Sequence, residues 1–129
     1  MYNKLVELLN NSYSPYSEFR VSAIIEMKDG SIVGGVNVEN ASYGASICAE
    51  RSALVSAVSR GYKKDDFKAI HILTNNDKVT YPCFICRQVL IEFFSLDSKV
   101  FLYGRSGEVK EEIIGLICPN AFTKDDLNI

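Results

Sequence analysis

The chain is organised around two short stretches, Cys48-Ala49-Glu50 and Pro82-Cys83-Phe84-Ile85-Cys86. Together they offer three thiols, whereas a closed structural zinc site normally has four protein ligands. A catalytic zinc site has three protein ligands and keeps its fourth position for water. The two stretches therefore predict the halves of one catalytic metal site, with Cys48, Cys83 and Cys86 as metal ligands and the carboxylate of Glu50 as the base.

The sequence around each stretch predicts that the thiols lie at the starts of helices. Residues 47–60, ICAERSALVSAVSR, carry apolar residues at helical spacing, so Cys48 is expected in the first turn of a helix. Pro82 suits the first position of a second helix, which continues over Cys83–Phe94. The positive end of each helix dipole favours the thiolate form that a metal requires. Two helix starts aimed at one point would hold Zn²⁺.

The rest of the chain alternates between β-prone runs and helical segments. We predict an N-terminal helix over Tyr2–Asn11 and strands over Val21–Met27, Ile32–Val38, Phe67–Thr74, Val100–Tyr103 and Val109–Ile113. This order indicates a sheet with helices on its faces. The pair Gly34-Gly35 inside a strand indicates a bulge or the close approach of another backbone. No linker divides the chain, so we expect one domain over residues 1–129.

Composition and charge narrow the possible partners. The chain of 129 residues has a net charge of -2 and lacks a run of Lys and Arg beyond Lys63-Lys64, which argues against nucleic-acid binding. A small, neutral or weakly charged substrate fits better. The sequence contains neither an apolar run of the ~18 residues that a membrane span needs nor a signal peptide, so we expect a cytoplasmic protein without membrane contact. In that compartment thiols stay reduced and commonly serve as metal ligands.

Five segments together resemble the small homotetrameric zinc-dependent cytidine deaminases. They occur in order over nearly the whole chain: Tyr13-Ser14-Pro15-Tyr16-Ser17-x-Phe19, Asn37-Val38-Glu39-Asn40, Cys48-Ala49-Glu50-Arg51, Pro82-Cys83-x-x-Cys86-Arg87-Gln88 and Pro119-Asn120-Ala121-Phe122. The resemblance implies a three-layer α/β/α sandwich with a five-stranded mixed sheet. It also implies one Zn²⁺ per chain and a homotetramer in which sites are shared between subunits.

The resemblance further implies roles for individual residues. Glu50 matches the glutamate that shuttles protons in the family. Independently of the resemblance, Arg51 could be a solvated helix residue, but we expect it to donate hydrogen bonds to ligand sulfur, because three thiolates leave the metal and its ligands with a net negative charge and weaken the metal as a Lewis acid. The substrate-binding residues implied by the family are Asn37, Glu39, Phe19, Ala49, Tyr43 and Phe122.

These substrate contacts divide by the part of the ligand that they would touch. Strand alternation would turn Asn37 and Glu39 to one face, which suits the capture of a sugar hydroxyl, and the family binds ribose at these positions. The aromatic positions of Phe19 and Phe122 stack near the base, the latter reaching in from a neighbouring subunit. Ala49 would offer its backbone N–H to the base carbonyl, and Tyr43 matches a position at the subunit junction.

Other residues have simpler interpretations or depart from the family. Cys118 follows an apolar run and is interpreted as core, and His71, in the middle of a strand, as structural. Phe84 and Ile85 stand where most members have small residues, and Ser22 stands where Gly is usual. These departures leave the ligands intact but put the packing near the metal and the subunit contact in question.

The predicted activity is the zinc-dependent hydrolysis of cytidine and deoxycytidine to uridine and deoxyuridine with release of ammonia, a step of pyrimidine salvage. Such an enzyme is a hydrolase acting on the C–N bond of a cyclic amidine. One alternative is deamination of another substrate, such as a blasticidin-type nucleoside antibiotic or a base in tRNA. The other is a redox dithiol or structural zinc protein without catalysis, which would have a fourth protein ligand or a disulfide.

Overall fold

A five-stranded mixed sheet forms the centre of the protein in the computed structural model, which describes all residues from Met1 to Ile129. The strands are β1 (Val21–Met27), β2 (Ile32–Val36), β3 (Phe67–Thr74), β4 (Lys99–Tyr103) and β5 (Val109–Ile113), in the spatial order β2-β1-β3-β4-β5. β1 runs antiparallel to β2 and β3, and β4 runs antiparallel to β5. β3 and β4 are parallel, which requires a crossover connection between them.

Helices cover both faces of this sheet. They are α1 (Tyr2–Leu9), α2 (Ala49–Ser59), α3 (Phe84–Phe93) and the single-turn α4 (Ile114–Ile117). α1 packs on one face, and α2, α3 and α4 pack on the other, with α3 in the crossover between β3 and β4. The predicted α/β/α sandwich with a five-stranded mixed sheet is therefore confirmed. None of these helices combines the length and apolar character needed to cross a membrane.

Strand alternation divides the core into two clusters. Ile70 and Ile72 of β3 belong to the larger cluster, which contains 18 buried residues and lies under α2 and α3. Leu73 points to the other face and packs with Leu5 and Leu9 of α1 in a cluster of five. α1 is fastened there by the buried hydroxyl of Ser22, which donates to the carbonyl of Leu5 at 2.8 Å. The serine that replaces the usual glycine is thus accommodated as a helix anchor.

A glycine on β2 allows α2 to approach the sheet closely. A Cβ atom on Gly35 would lie 2.3 Å from the backbone nitrogen of Ala53 and 2.8 Å from the carbonyl oxygen of Ala49. Both contacts are with backbone atoms, which cannot move away without moving the helix. The prediction of a close backbone approach at Gly34-Gly35 is confirmed, and this contact fixes the height of the N-terminus of α2 above the sheet.

The starts of the two helices differ from the sequence prediction by one or two residues. Cys48 has extended backbone angles and precedes α2 as its N-cap, so its placement in the first turn was wrong. Cys83 is likewise the extended N-cap of α3, and Pro82 lies before the helix instead of at its first position. The Cys83 side chain occupies the capping role because its Sγ accepts the backbone N–H of Cys86 at 3.4 Å.

Candidate active site

The N-termini of α2 and α3 bring three thiols together. The Sγ atoms of Cys48, Cys83 and Cys86 all lie within 4.8 Å of one another, and those of Cys48 and Cys83 are 3.8 Å apart. All three cysteines are free, so no disulfide competes with a metal. Zn–S bonds of ~2.3 Å in tetrahedral geometry place sulfur atoms about 3.8 Å apart. The cluster contains no fourth His, Cys, Asp or Glu, so its donor set fits a zinc ion with one coordination position left for a non-protein ligand.

Hydrogen bonding between the thiols gives them different pKa values, in a way that suits metal binding. A hydrogen bond with the Cys86 thiol, assisted by Arg51, lowers the pKa of Cys48 to about 5. The same hydrogen bond, together with burial, raises the pKa of Cys86 far above its usual range. One thiolate is therefore stabilised in the cluster. A bound dication would displace the remaining thiol protons, because metal ligation requires the thiolate form.

Glu50 lies in the first turn of α2 with its side chain beside the cluster. The residue is 4% exposed, and its Oε1 atom is buried without a hydrogen-bond partner. Burial raises the pKa of Glu50 to about 7. Buried polar atoms in native proteins are almost always paired, and an unpaired one marks a place where a ligand, a water molecule or a functional constraint is expected.

Arg51, the next residue, faces the ligand sulfur. Its Nη2–H group donates to Cys48 Sγ at 3.9 Å, and its Nε atom is buried without a partner. A guanidinium at this position offsets negative charge on the thiolates. The structure therefore places Arg51 where its predicted interaction with the ligand sulfur can occur.

A cavity of about 320 Å³ opens in front of Glu50 and two of the thiols. Its volume lies at the lower end of the roughly 300–1,000 Å³ typical of small-ligand sites. The residues that line it are Phe19, Val21, Asn37, Glu39, Ser46, Ile47, Cys48, Glu50, Ile72, Thr74, Thr80, Tyr81, Pro82 and Cys83. The structure thus gathers Phe19, Asn37, Glu39 and Glu50 around one space, although they come from separate parts of the chain.

Two polar side chains that line the cavity, Asn37 and Glu39, are held by hydrogen bonds to neighbouring segments. Asn37 is 8% exposed, with its Nδ2 group donating to the carbonyl of Phe19 at 2.7 Å and its Oδ1 atom accepting the N–H of Val21 at 2.9 Å. Its side chain therefore supports the neighbouring segment as well as lining the cavity. The Glu39 carboxylate accepts backbone N–H groups from Tyr16 at 2.9 Å and Ser17 at 3.1 Å.

Three of the predicted substrate contacts do not line this cavity. Ala49 is fully buried as the first residue of α2. Tyr43 is 77% exposed on a 3₁₀ turn and meets the ring of Tyr16 edge-on, with centroids 6.2 Å apart. Phe122 is 56% exposed on the C-terminal segment, where Gln88 Nε2–H donates to its carbonyl at 2.7 Å. The two exposed rings are available to another molecule rather than to the cavity of their own chain.

The unusual residues between the second and third thiols point away from the metal cluster. Phe84 is 71% exposed and Ile85 is 64% exposed. The guanidinium carbon of Arg87 lies 4.3 Å from the centre of the Phe84 ring, within the range of a cation–π contact. Arg87 also donates to the carbonyl of Pro82 at 2.7 Å. The bulky pair therefore leaves the thiol geometry undisturbed within the chain.

Sequence reasoning missed several polar residues of the site. Thr74 and Thr80 line the cavity, and their hydroxyl oxygens are 3.2 Å apart. Ser17 bonds to Glu39 through both its backbone and its hydroxyl group. Ser17 belongs to a segment that carried the family resemblance, and this was the one available signal. Thr74 is the last residue of β3 and Thr80 lies two residues before Pro82, and nothing in their local sequence indicates a function.

Comparison with known proteins agrees with this geometry. The family described as the cytidine and deoxycytidylate deaminase zinc-binding region matches residues 1–103. The chain belongs to this family. The curated cytidine deaminase of Halalkalibacterium halodurans is 42% identical over 123 residues, covering 95% of this chain and 92% of the relative. That of Sporosarcina psychrophila is 38% identical, covering 91% of this chain and 85% of the relative.

Solved structures of the family share the fold of this member. The crystal structure of a cytidine deaminase from Burkholderia pseudomallei superposes with a TM-score of 0.87 at 39% identity and covers 95% of this chain and 99% of that chain. The cytidine deaminase from Mycobacterium tuberculosis gives a TM-score of 0.79 at 31% identity, with 95% and 97% coverage. This member of the family thus has its three-thiol cluster in the same fold as the cytidine deaminases of known structure.

Proposed function

We propose that this protein hydrolyses cytidine and deoxycytidine to uridine and deoxyuridine, with release of ammonia and with one zinc ion bound per chain. The single observation that carries the proposal is the meeting of a three-thiol cluster and the unpaired Oε1 atom of buried Glu50 at one cavity. A structural zinc protein would have a fourth protein ligand in the cluster. The named activity of relatives at up to 42% identity supports the same assignment.

The metal and Glu50 divide the chemistry. Zinc held by the three thiols would supply a water molecule of lowered pKa, so that a nucleophile forms near neutral pH. Glu50 accepts a proton from water at its free Oε1 atom and delivers it to the ring nitrogen N3 of the base. Protonation of N3 makes C4 more electrophilic. Hydroxide from that water adds to C4, and the Glu50 carboxylate then takes the proton of the new C4 hydroxyl group and passes it to the amino group, so that the C4–N bond breaks, ammonia leaves and a carbonyl forms at C4.

The remaining cavity residues suit a nucleoside. Asn37 and Glu39 would bind the sugar, and the ring of Phe19 would stack near the base. The backbone N–H of Ala49, at the start of α2, would donate to the base carbonyl. These assignments place the sugar beside Asn37 and Glu39 and the amino group near the thiols, next to Glu50.

The charge of the cavity favours a nucleoside over a nucleotide. The family includes deoxycytidylate deaminases, yet neither the cavity nor the adjoining depression around Tyr16 and Tyr43 is lined by a Lys or Arg side chain. Phosphate recognition normally uses such cations. The carboxylate of Glu39 would instead repel a phosphate. We therefore propose that the 5′ position of the substrate carries a free hydroxyl group.

The exposed rings support assembly. Phe122 and Tyr43 lie outside the cavity of their own chain, and Phe84, Ile85 and Leu116 add further exposed apolar surface. We propose a homotetramer in which Phe122 stacks near the base in a neighbouring subunit and Tyr43 lies at the subunit junction. The chain would act as a single domain over residues 1–129, in the cytoplasm, in pyrimidine salvage.

The decisive experiment measures ammonia release from cytidine by the wild-type protein and by Glu50→Gln, with zinc counted per chain. The expected result is turnover by the wild type and a loss of roughly 10²–10⁴-fold in kcat for the variant, since a positioned acid–base group contributes about that factor. Zinc content should be equal in both, because Glu50 is outside the thiol cluster. Equal turnover by the two proteins contradicts the proposed role of Glu50.

Parallel assays with other substrates test the assignment of substrate class. Cytidine 5′-monophosphate, blasticidin S and a stem-loop RNA should each be deaminated much more slowly than cytidine. Faster turnover of the monophosphate would contradict the argument from the missing cations. Faster turnover of the antibiotic or the RNA would reassign the enzyme within its family.

A further inference from the structure

The loop over residues 16–19 holds the Glu39 carboxylate with three donors. Backbone N–H groups of Tyr16 and Ser17 both donate to Oε1, at 2.9 and 3.1 Å. The Ser17 hydroxyl donates to Oε2. A carboxylate has about four acceptor positions, two on each oxygen. The loop therefore occupies both positions on Oε1 and one on Oε2, and it leaves a single position open.

The direction of the Ser17 hydroxyl is itself fixed. The backbone N–H of Phe19 donates to Ser17 Oγ at 3.0 Å, so the hydroxyl proton is directed to Glu39. Hydrogen bonds from the Ser17 hydroxyl and then from the backbone of the loop lower the pKa of Glu39, which keeps the carboxylate ionised at neutral pH. An ionised carboxylate only accepts hydrogen bonds, so the open position on Oε2 takes a donor such as a ligand O–H group.

The loop that carries Ser17 is held in shape from its other side. Glu18 has a φ of 58°, in the left-handed region that is costly for a residue with a side chain. The Asn75 side chain brackets this residue, since its Nδ2–H group donates to the carbonyl of Glu18 at 2.8 Å and its Oδ1 atom accepts the N–H of Arg20 at 3.2 Å. Asn75 follows directly after β3, so the sheet holds the loop in shape and no bound ligand is needed for this.

We propose that Ser17 is a positioning residue, which orients the Glu39 carboxylate so that one oxygen is open to one sugar hydroxyl of the ligand. This inference rests on the proposed function, since it assumes a nucleoside in the cavity. Ser17 lines only the adjoining depression and is not among the residues of the main cavity, so it acts through Glu39. Its contribution is to affinity and to discrimination between sugars, and not to the proton transfers at Glu50.

The test compares ligands that differ only in their sugar hydroxyls. Uridine and 2′,3′-dideoxyuridine, neither of which carries the amino group to be released, are titrated calorimetrically into the zinc-loaded wild type, Ser17→Ala and Ser17→Thr. For Ser17→Ala the affinity for uridine should fall roughly 5- to 30-fold, less than the roughly 10- to 150-fold cost of losing a charge-assisted hydrogen bond to the ligand itself, because Ser17 acts through Glu39. The affinity for the dideoxy ligand should change less than about twofold. Ser17→Thr, which keeps the hydroxyl, should restore most of the affinity for uridine.

Kinetics and a double-mutant cycle complete the test. With cytidine, Ser17→Ala should raise KM and leave kcat nearly unchanged. On a Glu39→Gln background, Ser17→Ala should add less than about twofold, since coupled residues are not additive. Ser31→Ala, an exposed serine in the β1–β2 turn, serves as the matched control and should behave as wild type.

The outcomes separate this inference from the proposed function. Equal losses for uridine and its dideoxy analogue, unchanged affinity for both, or full additivity with Glu39→Gln would each overturn the role of Ser17. A wild-type protein that prefers uridine to the dideoxy ligand yet releases no ammonia from cytidine would contradict the proposed reaction while leaving the binding inference intact. Thermal unfolding of each variant shows whether a loss of affinity reflects a loss of fold.

Discussion

Two groups of buried polar side chains lie on opposite faces of the sheet, and they differ in how well they are paired. On the α1 face, His71 Nδ1 lies 2.8 Å from the Tyr103 hydroxyl and Nε2 lies 3.0 Å from Glu26 Oε2, with the imidazole stacked on Phe101 at 4.6 Å. Both ring nitrogens are satisfied. On the α2 and α3 face, Glu50 Oε1 and Arg51 Nε are buried without partners.

Whether a buried polar group is paired within the chain helps to distinguish a structural role from a functional one. Pairing a buried polar group recovers most of the cost of removing it from water, so the His71 group is compatible with a purely structural role. The Glu50 group leaves that cost uncompensated within the chain. An unpaired buried atom calls for an explanation, and a ligand or a water molecule in the adjoining cavity supplies one. His71, interpreted from sequence as structural, is thus fully paired, whereas Glu50, predicted as the base, keeps an unpaired oxygen.

The largest expected effect on activity comes from removing a predicted metal ligand on the α2 and α3 face, where Glu50 and Arg51 are unpaired. Cys83→Ala should lose zinc and reduce turnover of cytidine by more than about 100-fold, because even partners of metal ligands contribute 10–100-fold. Zinc is counted by metal analysis and turnover by ammonia release. Cys118→Ala is the matched control, since Cys118 is buried outside the thiol cluster. Retention of zinc by Cys83→Ala, or its loss from Cys118→Ala, would contradict the assignment of the metal site to the thiol cluster.

A smaller effect is expected at Arg51. Arg51→Ala should lower kcat by roughly 10–100-fold while zinc stays bound, because the guanidinium no longer draws negative charge from Cys48. The matched control is Arg60→Ala, at the exposed end of α2. An unchanged rate with full zinc occupancy would contradict the electrostatic role.

The smallest effect on activity, and the clearest on stability, is expected on the paired side. Tyr103→Phe should lower the free energy of unfolding by about 1–3 kcal/mol, since it leaves His71 Nδ1 buried without its partner. The kcat/KM for cytidine should not change. Denaturant unfolding and steady-state kinetics measure the two quantities. Tyr62→Phe is the control, because it removes a hydroxyl group from an exposed hydrogen bond to Asp29 and should lower the free energy of unfolding by less. A larger loss of stability in Tyr62→Phe than in Tyr103→Phe would contradict the prediction. A loss of activity in Tyr103→Phe would show that pairing does not distinguish structural from functional polar groups.

The ends of most strands were predictable because nearby turn residues in the sequence mark where each strand begins and ends. β1, β3 and β5 have the bounds that the sequence predicted, since each is a β-prone run flanked by turn residues. β2 ends at Val36 rather than at Val38, because Val38 leaves the sheet edge and forms isolated bridges to Tyr13 and Ile47. Those bridges join distant parts of the chain and have no local signature.

The thiols and Glu50 were predictable as a cluster from sequence, whereas the surroundings of Glu39 were predictable only in part. Three thiols and a carboxylate at fixed spacing restrict the chemistry strongly, and the structure brings their side chains together. The contacts of Ser17 with Glu39 span 22 positions and depend on a left-handed residue at Glu18, which no spacing rule indicates. Periodicity placed His71 on a strand but did not identify Tyr103 and Glu26 as its partners.

The separation of the thiols along the chain has a mechanical consequence. Cys48 and Cys83 are 35 residues apart, and each caps a different helix, so an ion held between them would close a long loop as a covalent cross-link does. That tether joins the start of α2 to the crossover that delivers β4 to the sheet. A metal bound for catalysis would therefore also stabilise the folded chain, in which the thiols meet, and chelation would loosen two helix starts at once while it stops the chemistry.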